Sequence, residues 1–188
     1  LIGSGKSTLA KHLAKTYHAN YISGSIIHYQ LATEALSLSN AKRVEKGFWE
    51  TKEGKKVMKM RRNNSWFDKE VDRRLLSFLH QKTRTVSDGW LMPWLYKGKA
   101  IRIWLKASED SRIRRIMERD QLPYSTVKKF IQHRARVSYG IYERLYHVKL
   151  GEDLSPFDLV VNNEGMKPVQ TYRIIKTFID TRLQTLPK

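Results

Sequence analysis

The chain has 188 residues, with no cysteine, no long apolar run and half as many acidic as basic residues. Without cysteine it can form neither a disulfide bond nor a thiolate metal site, which fits a reducing compartment. No run approaches the 18 or so consecutive apolar residues that a membrane-spanning helix needs, so we expect no membrane span. No cleavable signal sequence is visible, and the expectation is a cytoplasmic monomer.

The shortage of acidic residues leaves a net charge of +18, from 36 Lys and Arg against 18 Asp and Glu. Such a surface attracts polyanions such as nucleic acid, nucleotides or an anionic membrane face. A plain solubility adaptation would give the same composition. We expect RNA binding that is weak, insensitive to sequence and incidental to the main activity.

The first residues carry a glycine-rich stretch, which matches the end of the phosphate-loop pattern G-x-x-x-x-G-K-[ST]. Consecutive backbone N–H groups and the following helix N-terminus form a cradle for anions. In this pattern Lys6 reaches the β- and γ-phosphates of ATP, and the Ser7 hydroxyl binds Mg²⁺. The first glycine and the strand that feeds such a loop are expected before Leu1. The predicted ATP-binding residues of the loop are Gly3, Ser4, Gly5, Lys6, Ser7 and Thr8.

Helical and strand patterns alternate along the rest of the chain, which predicts one α/β domain with a parallel sheet covered on both faces. Apolar spacing predicts helices over residues 7–16, 26–36 and 66–79. Short β-rich stretches predict strands at residues 21–23, 84–87, 101–105 and 159–161.

Residues 42–62 interrupt this alternation, with nine Lys or Arg, three Glu and two glycines. Little apolar periodicity is visible before the end of the segment. The composition therefore predicts a basic insertion that is mobile or extends from the sheet, because few side chains offset the entropy cost of ordering it.

Four stretches together resemble the archaeal-type cytidylate kinases, which are small P-loop nucleoside monophosphate kinases. In order, the stretches are GSGKSTLAKHLAK at 3–15, FDKEVDRRL at 67–75, IRIWLKASEDSRIRRIMERD at 101–120 and SPFDLVVNN at 155–163. The resemblance covers nearly the whole chain. It implies a P-loop NTPase fold with a five-stranded parallel sheet, a monophosphate-binding insertion at about 26–70 and a lid at about 118–140.

The resemblance also implies roles for individual residues. The family's D-x-x-[IV]-D-R-R pattern places Asp68, Asp72 and Arg73 near the acceptor base and phosphate. Arg112 matches an arginine that binds ATP. The residues implied as catalytic are Lys6, Arg115, Arg119 and Arg134.

The chemistry of phosphoryl transfer also explains a need for these arginines, independently of the family resemblance. Phosphoryl transfer needs positioning and charge neutralisation more than covalent help from the protein. The planar fork of arginine holds phosphate oxygens with two hydrogen bonds and stays charged. Arg112, Arg115 and Arg119 lie at i, i+3 and i+7, on one helix face. A solvated basic face would show the same spacing.

The chain departs from the family on the acceptor side. The family's S-A-G-D-I-F-R is replaced by Ser-Gly-Ser-Ile-Ile-His-Tyr at 23–29, so Ile26 and Tyr29 stand where an aspartate and an arginine are expected. The family's E-G-R becomes Asp-Gly-Trp at 88–90. These changes bear on the acceptor more than on ATP, and Arg61, Arg62 or Arg136 are candidates to replace the lost charge.

Residues 88–96 combine one carboxylate with an aromatic cluster. Asp88 ends a predicted parallel strand beside the loop, where it either holds Mg²⁺ or caps the following turn. Trp90, Trp94 and Tyr96 lie near the strand ends, where open α/β sheets bind ligands. They either stack on a base or belong to the core.

Three functions are compatible with these patterns. The favoured one is ATP- and Mg²⁺-dependent phosphorylation of CMP or dCMP to the diphosphate. The second is a related phosphotransferase with another acceptor. The third is a basic RNA-associated protein that retains a P-loop nucleotide site.

Overall fold

The computed structural model describes residues 1–35, 51–81 and 83–185 of the chain. Helices and strands alternate through this part, and each is numbered here in chain order. The elements are α1 Lys6–Thr16, β1 Asn20–Ser23, α2 Gly24–Ala35, α3 Lys52–Asn63, α4 Ser65–Leu79, β2 Thr85–Asp88, α5 Met92–Leu95, β3 Ile103–Lys106, α6 Glu109–Asp120, α7 Tyr124–Tyr146, β4 Leu159–Asn162 and α8 Pro168–Thr185.

The strands form two parallel pairs, which confirms the α/β class and the parallel arrangement. Strand β1 pairs with β2 from Asn20 opposite Thr85 to Ser23 opposite Asp88. Strand β3 pairs with β4 along their whole length. Each pair is joined by helical crossovers, as parallel strands require. The predicted single sheet of five strands is not seen in the described residues, where the two pairs share no ladder; its first strand was expected before Leu1.

Three apolar clusters hold the helices and strands together. The largest packs α2, α3, α4 and α7 through buried side chains such as Leu31, Val57, Phe67 and Ile141. A second joins α1 and α8 to the β3–β4 pair. A third joins α6 to α7. Burial of these side chains supplies the main favourable free energy of the fold.

The segment 42–62, predicted to be mobile or to extend from the sheet, contains the ordered helix α3 where it lies within the described residues, which corrects the mobile alternative. Thr51 caps its N-terminus, with its hydroxyl accepting a 3.0 Å hydrogen bond from the Gly54 N–H. Val57, Met58 and Arg61 are buried on one face. The helical period was hidden because its buried positions include a glycine and an arginine. Residues 42–50 lie outside the described part.

The predicted lid at 118–140 comprises the end of α6, a tight turn and most of α7. Gln121 takes a left-handed backbone conformation at the turn, with φ of 55°. Ile113 and Ile116 of α6 pack against Val127 and Ile131 of α7, so the two helices form an apolar hairpin. Within the described residues, no helix is long and apolar enough to span a membrane.

Candidate active site

The glycine-rich loop leads directly into α1, as the sequence predicts. Gly3 and Gly5 have φ of 75° and 91°, which favour glycine. A side chain at Gly3 would also meet the Arg112 carbonyl oxygen, since a Cβ would lie 2.7 Å from it. Ser7 and Thr8 lie exposed in the first turn of α1. The loop therefore presents backbone N–H groups and two hydroxyls at the positive end of a helix dipole.

Lys6 is the last residue of the phosphate-loop pattern before the two hydroxyls and the first residue of α1. Its side chain contacts the Leu1 carbonyl group and the Trp90 ring. Its Nζ donates a 2.8 Å hydrogen bond to the Leu1 carbonyl oxygen. The same Nζ is 5.9 Å from the centroid of the Trp90 ring. Burial lowers the pKa of the Lys6 ammonium; the Asp88 carboxylate opposes this shift and the Arg134 guanidinium adds to it. One carboxylate, Asp88, and a second cation, Arg134, thus lie close enough to Lys6 to shift its pKa. Such a gathering of cations is expected where a polyanion binds.

Ser7 and Asp88, the two predicted Mg²⁺ ligands, lie together. The Ser7 hydroxyl donates a hydrogen bond directly to Asp88 Oδ2. Asp88 is buried at the carboxyl end of β2, opposite Ser23 of β1. One hydroxyl and one carboxylate thus meet beside the loop, and both are the oxygen donors that Mg²⁺ prefers.

Two of the three predicted site arginines on α6 support the loop. Arg112 is buried and its Nη1 donates to the Ile2 carbonyl at 3.1 Å. Arg115 holds Asn163 with two hydrogen bonds, to the side-chain oxygen at 3.1 Å and to the backbone carbonyl at 2.7 Å. The Asn163 amide in turn donates to the Ser4 carbonyl at 2.9 Å. This chain connects α6 and the end of β4 to the phosphate loop.

Arg119 differs from these two. Its guanidinium forms two hydrogen bonds with the carboxylate of Asp120, at 2.7 and 2.5 Å. Its side chain is 49% exposed. The helical spacing therefore brings Arg112 and Arg115 to the loop, whereas Arg119 forms an ion pair at the end of α6.

Trp90 lies between the loop and α7. The Arg134 guanidinium carbon is 6.0 Å from the ring centroid, so a second cation contacts this indole besides Lys6. The rings of Tyr139 and Tyr142, also on α7, lie 6.2 and 6.1 Å from it. At the position where the family resemblance predicts an arginine, the chain thus has an aromatic ring that contacts two cations.

The predicted aromatic cluster around Trp90 is divided between three surroundings. Trp94 packs edge-on against Trp104 and Phe157 within the core, at 6.5 and 5.2 Å. Tyr96 packs against His80. Of the three, Trp90 is the ring that contacts the phosphate loop within the described residues, through Lys6.

Asp68, the first predicted acceptor residue, belongs to a buried ion pair. Arg61 Nη2 lies 2.7 Å from Asp68 Oδ1, and both side chains are only 1% exposed. His28 Nε2 lies 3.7 Å from the same oxygen, while its Nδ1 donates to the Gly24 carbonyl at 2.7 Å. Burial raises the pKa of the Asp68 carboxyl, but hydrogen bonding from His28 and the charge of Arg61 outweigh it, so the net shift is downward.

Asp72 lies one turn further along the same face of α4. Its Oδ2 accepts a 2.8 Å hydrogen bond from the Tyr146 hydroxyl. Burial raises the pKa of Asp72 to about 7, and the charge of Asp68 contributes to the increase. The cluster of Arg61, Asp68, Asp72 and Tyr146 therefore holds one ionised carboxylate and one that is easily protonated.

The structure does not bring Arg73 to this cluster. Its side chain is 68% exposed and forms two hydrogen bonds with Glu70, both at 2.7 Å. Arg73 follows Asp72 by one position, and adjacent residues of a helix point in different directions. Ile26 and Tyr29 lie half-buried on α2.

Sequence reasoning alone did not assign roles to Asn163, His28 or Tyr146. Asn163 could have been found, because it lies two residues beyond the predicted parallel strand at 159–161, where polar groups reach the ligand side of a sheet. His28 and Tyr146 carry no comparable signal. Arg61 was only one of three candidates for replacing lost charge, and burial against Asp68 distinguishes it.

A glycine-rich loop at a helix N-terminus, with oxygen donors at the adjoining strand end and arginines behind it, defines a P-loop nucleotide site. The chain belongs to the cytidylate kinase-like family, whose model matches residues 1–165. A cytidylate kinase of Sulfurisphaera tokodaii is 31% identical over 183 residues, covering 96% of this chain and 92% of the relative. A cytidylate kinase of Methanospirillum hungatei is 31% identical over 190 residues, covering 100% and 95%.

One of the solved structures that match the chain illustrates the likeness in fold. It is the crystal structure of an uncharacterized protein from Eubacterium ventriosum, with a TM-score of 0.60 and 16% identity. The match covers 95% of this chain and 93% of that one. The likeness extends over the whole α/β arrangement and concerns the fold alone.

Proposed function

We propose that this protein transfers the γ-phosphoryl group of ATP to CMP or dCMP, giving the nucleoside diphosphate. The observation that carries the proposal is the phosphate loop with Lys6 inside it and the Ser7–Asp88 contact beside it. The choice of CMP as acceptor is supported by relatives named cytidylate kinase, which the chain matches over nearly its whole length.

The donor side follows from the loop. Backbone N–H groups of residues 3–8 and Lys6 bind the ATP phosphates, and Arg112 supports the loop from behind. Arg115, Arg119 and Arg134 neutralise charge on the transferring group, which is the main catalytic requirement of phosphoryl transfer. For this role Arg119 has to break its ion pair with Asp120 and bind a phosphate group instead.

The residues beside the loop fit Mg²⁺. Mg²⁺ usually binds to proteins through one or two side-chain oxygens, with substrate phosphates and water completing its shell. The Ser7 hydroxyl and Asp88 carboxylate already lie in contact and would hold the ion. The ion would supply charge neutralisation between the β- and γ-phosphates.

On the acceptor side, Asp68, Asp72 and Arg73 are the proposed contacts. A carboxylate at Asp72 accepts a hydrogen bond from the exocyclic amine of cytosine, whereas uracil presents a carbonyl there. Opposing two acceptors costs more than losing an apolar contact, so CMP is preferred over UMP. Arg73 reaches the monophosphate only by leaving Glu70.

We also propose that the two strand pairs belong to one five-stranded sheet, with the region 26–70 closing over the acceptor and 118–140 over ATP. Helix α1 supports this, because it contacts β1 and β2 while its Leu13 packs with Leu105 of β3 and Val161 of β4. One helix thus covers both pairs. Such closure would exclude water, which otherwise competes as acceptor. A cytoplasmic monomer remains the expectation.

An ATP-consumption assay with CMP, dCMP, UMP, AMP or no acceptor tests the function. We expect turnover with CMP and dCMP, slower turnover with UMP, and loss of that selectivity in Asp72→Ala. Lys6→Ala should reduce turnover by about 100-fold or more, because charge in the transition state loses its partner. Lys15→Ala, an exposed lysine in the last turn of α1, is the matched control.

Other outcomes of this panel lead to different conclusions. Unchanged turnover in Lys6→Ala would remove the loop from the mechanism. Turnover with another acceptor but not with CMP would favour a related phosphotransferase. No turnover with any nucleotide, together with RNA binding, would favour an RNA-associated protein.

A further inference from the structure

Helix α3 carries a row of exposed cations on the side opposite its buried face. Lys52, Lys55, Lys56, Lys59 and Arg62 follow one another at helical spacing, and all five are exposed. The buried face, with Val57 and Met58, packs in the core. At 1.5 Å per residue the row extends for about 15 Å, which is long enough to meet several phosphates of a nucleic acid strand.

Within the described residues, no ion pair neutralises the charge of this row. Among the side chains that the structure describes, none of the five is in an ion pair. Elsewhere the exposed cations Arg73, Arg114 and Lys176 are each paired with a carboxylate three or four positions away on their helix. The row therefore differs from those three positions, where a carboxylate on the same helix balances the cation.

An exposed aromatic ring follows the row. Trp66, in the first turn of α4, is 55% exposed, which is unusual for so large an apolar side chain. Lys69, one turn further on the same face, is exposed as well. A shallow cavity of about 450 Å³ lies on the α3 side, lined by Lys56, Lys59, Met60, Asn63 and Asn64.

We infer that this basic face, formed by Lys52, Lys55, Lys56, Lys59, Arg62 and Trp66, binds single-stranded nucleic acid. The cations contact successive phosphates and the indole stacks on an unpaired base. A duplex fits less well, because its bases are already stacked. A membrane surface fits less well, because the apolar side of α3 is in the core and has no side chain to insert.

The basic face is separate from the candidate active site. Arg61 lies on the opposite side of α3, where it pairs with Asp68. Binding at the basic face therefore needs neither ATP nor CMP, and the inference does not depend on the proposed function. Part of the excess positive charge is thus concentrated on one surface, the basic face.

Fluorescence anisotropy of a labelled 12-nucleotide oligo(U), titrated with the full chain at several salt concentrations, tests this inference. The variant Lys55→Gln/Lys56→Gln/Lys59→Gln removes three charges from the basic face. The control Lys15→Gln/Lys99→Gln/Lys167→Gln removes three exposed lysines that lie outside α3 and α4. We expect at least tenfold weaker binding for the first variant only, with its salt slope reduced by about 2.

Trp66 gives a second, independent variant. Trp66→Ala should weaken binding about fivefold to 100-fold without changing the salt slope, whereas Trp66→Phe should retain most of the affinity. Thermal unfolding of each variant verifies that it is folded. Equal losses in the two triple variants would overturn the inference, because net charge alone would then explain binding. Absence of binding at low salt, equal affinity for a duplex, or binding only to anionic vesicles would overturn it too.

Discussion

Replacing Trp90 should slow phosphoryl transfer, because its ring holds two cations of the phosphate site. Lys6 Nζ and the Arg134 guanidinium lie 5.9 and 6.0 Å from the ring centroid. Cation–π contacts contribute from about 0.5 to about 2 kcal/mol each, and these distances are near the outer limit. A contribution of about 0.5–1 kcal/mol from each gives about 1–2 kcal/mol, or a roughly fivefold to 30-fold decrease in kcat for Trp90→Leu.

The comparison with Trp90→Phe isolates the electrostatic part of this effect. Phenylalanine retains an aromatic face toward both cations and part of the packing against Tyr139 and Tyr142. Leucine retains apolar bulk but no ring. We expect Trp90→Phe to recover most of kcat in a coupled ADP-release assay, with KM for CMP little changed in both variants. Equal decreases in the two variants, after correction for folded fraction, would refute the cation–π argument and leave only packing.

Three further predictions concern helix α4. Asp68→Asn leaves Arg61 charged and buried without its partner, so urea unfolding should show a loss of about 3–5 kcal/mol, and a loss below about 1 kcal/mol would contradict the buried pair. The pKa of Asp72 is raised to about 7 in the folded protein, so the wild-type free energy of unfolding should fall as pH rises from about 4 to about 7. The variant Asp72→Asn should lack this decrease. Urea unfolding of both proteins at about pH 5 and about pH 8 measures the difference. Arg73→Ala should leave the free energy of unfolding nearly unchanged, since its ion pair is exposed, while raising KM for CMP; an unchanged KM would remove Arg73 from the acceptor site.

Regular elements with a plain apolar period were predictable from the sequence. The structure confirms the helices predicted over 7–16 and 66–79, as α1 and α4, and all four strand stretches, with ends shifted by up to two residues. In these segments most of the buried side chains are apolar, so local pattern and final burial largely agree; the exceptions are Asp68 and Asp72 of α4 and Ser23 and Asp88 at the strand ends. The loop conformation at the glycines was equally predictable, because a positive φ, as found at Gly3 and Gly5, favours that residue type.

Helix α3 shows where such prediction fails. Its buried face includes Arg61, and an arginine is counted as polar in any pattern search. Its burial depends on Asp68, which lies on the next helix and neutralises its charge. A hydrophobic pattern contains no information about that partner, so the segment was predicted to be mobile or to extend from the sheet.

Long-range contacts set a similar limit within the candidate site. Asn163 joins Arg115 to the Ser4 carbonyl, three groups from distant parts of the chain. The spacing of Arg112, Arg115 and Arg119 predicts a shared helix face but not which of them meets a partner. Arg119 ends beside Asp120, a neighbour that the spacing argument did not weigh. The residue types of the site were therefore predictable, while its connections required the fold.

The excess positive charge of this protein is divided among three physically different surroundings. Arg61 is buried and neutralised by a carboxylate, so it contributes to the core and carries no free charge to the surface. Lys6 and Arg134 share the Trp90 ring, where an aromatic face moderates repulsion between like charges without neutralising them. The lysines of the basic face are exposed, and the described side chains offer them no ion pair. The last two surroundings both keep charge available to an anion: the first lies beside a loop suited to a nucleotide, and the second is an open surface suited to a single strand.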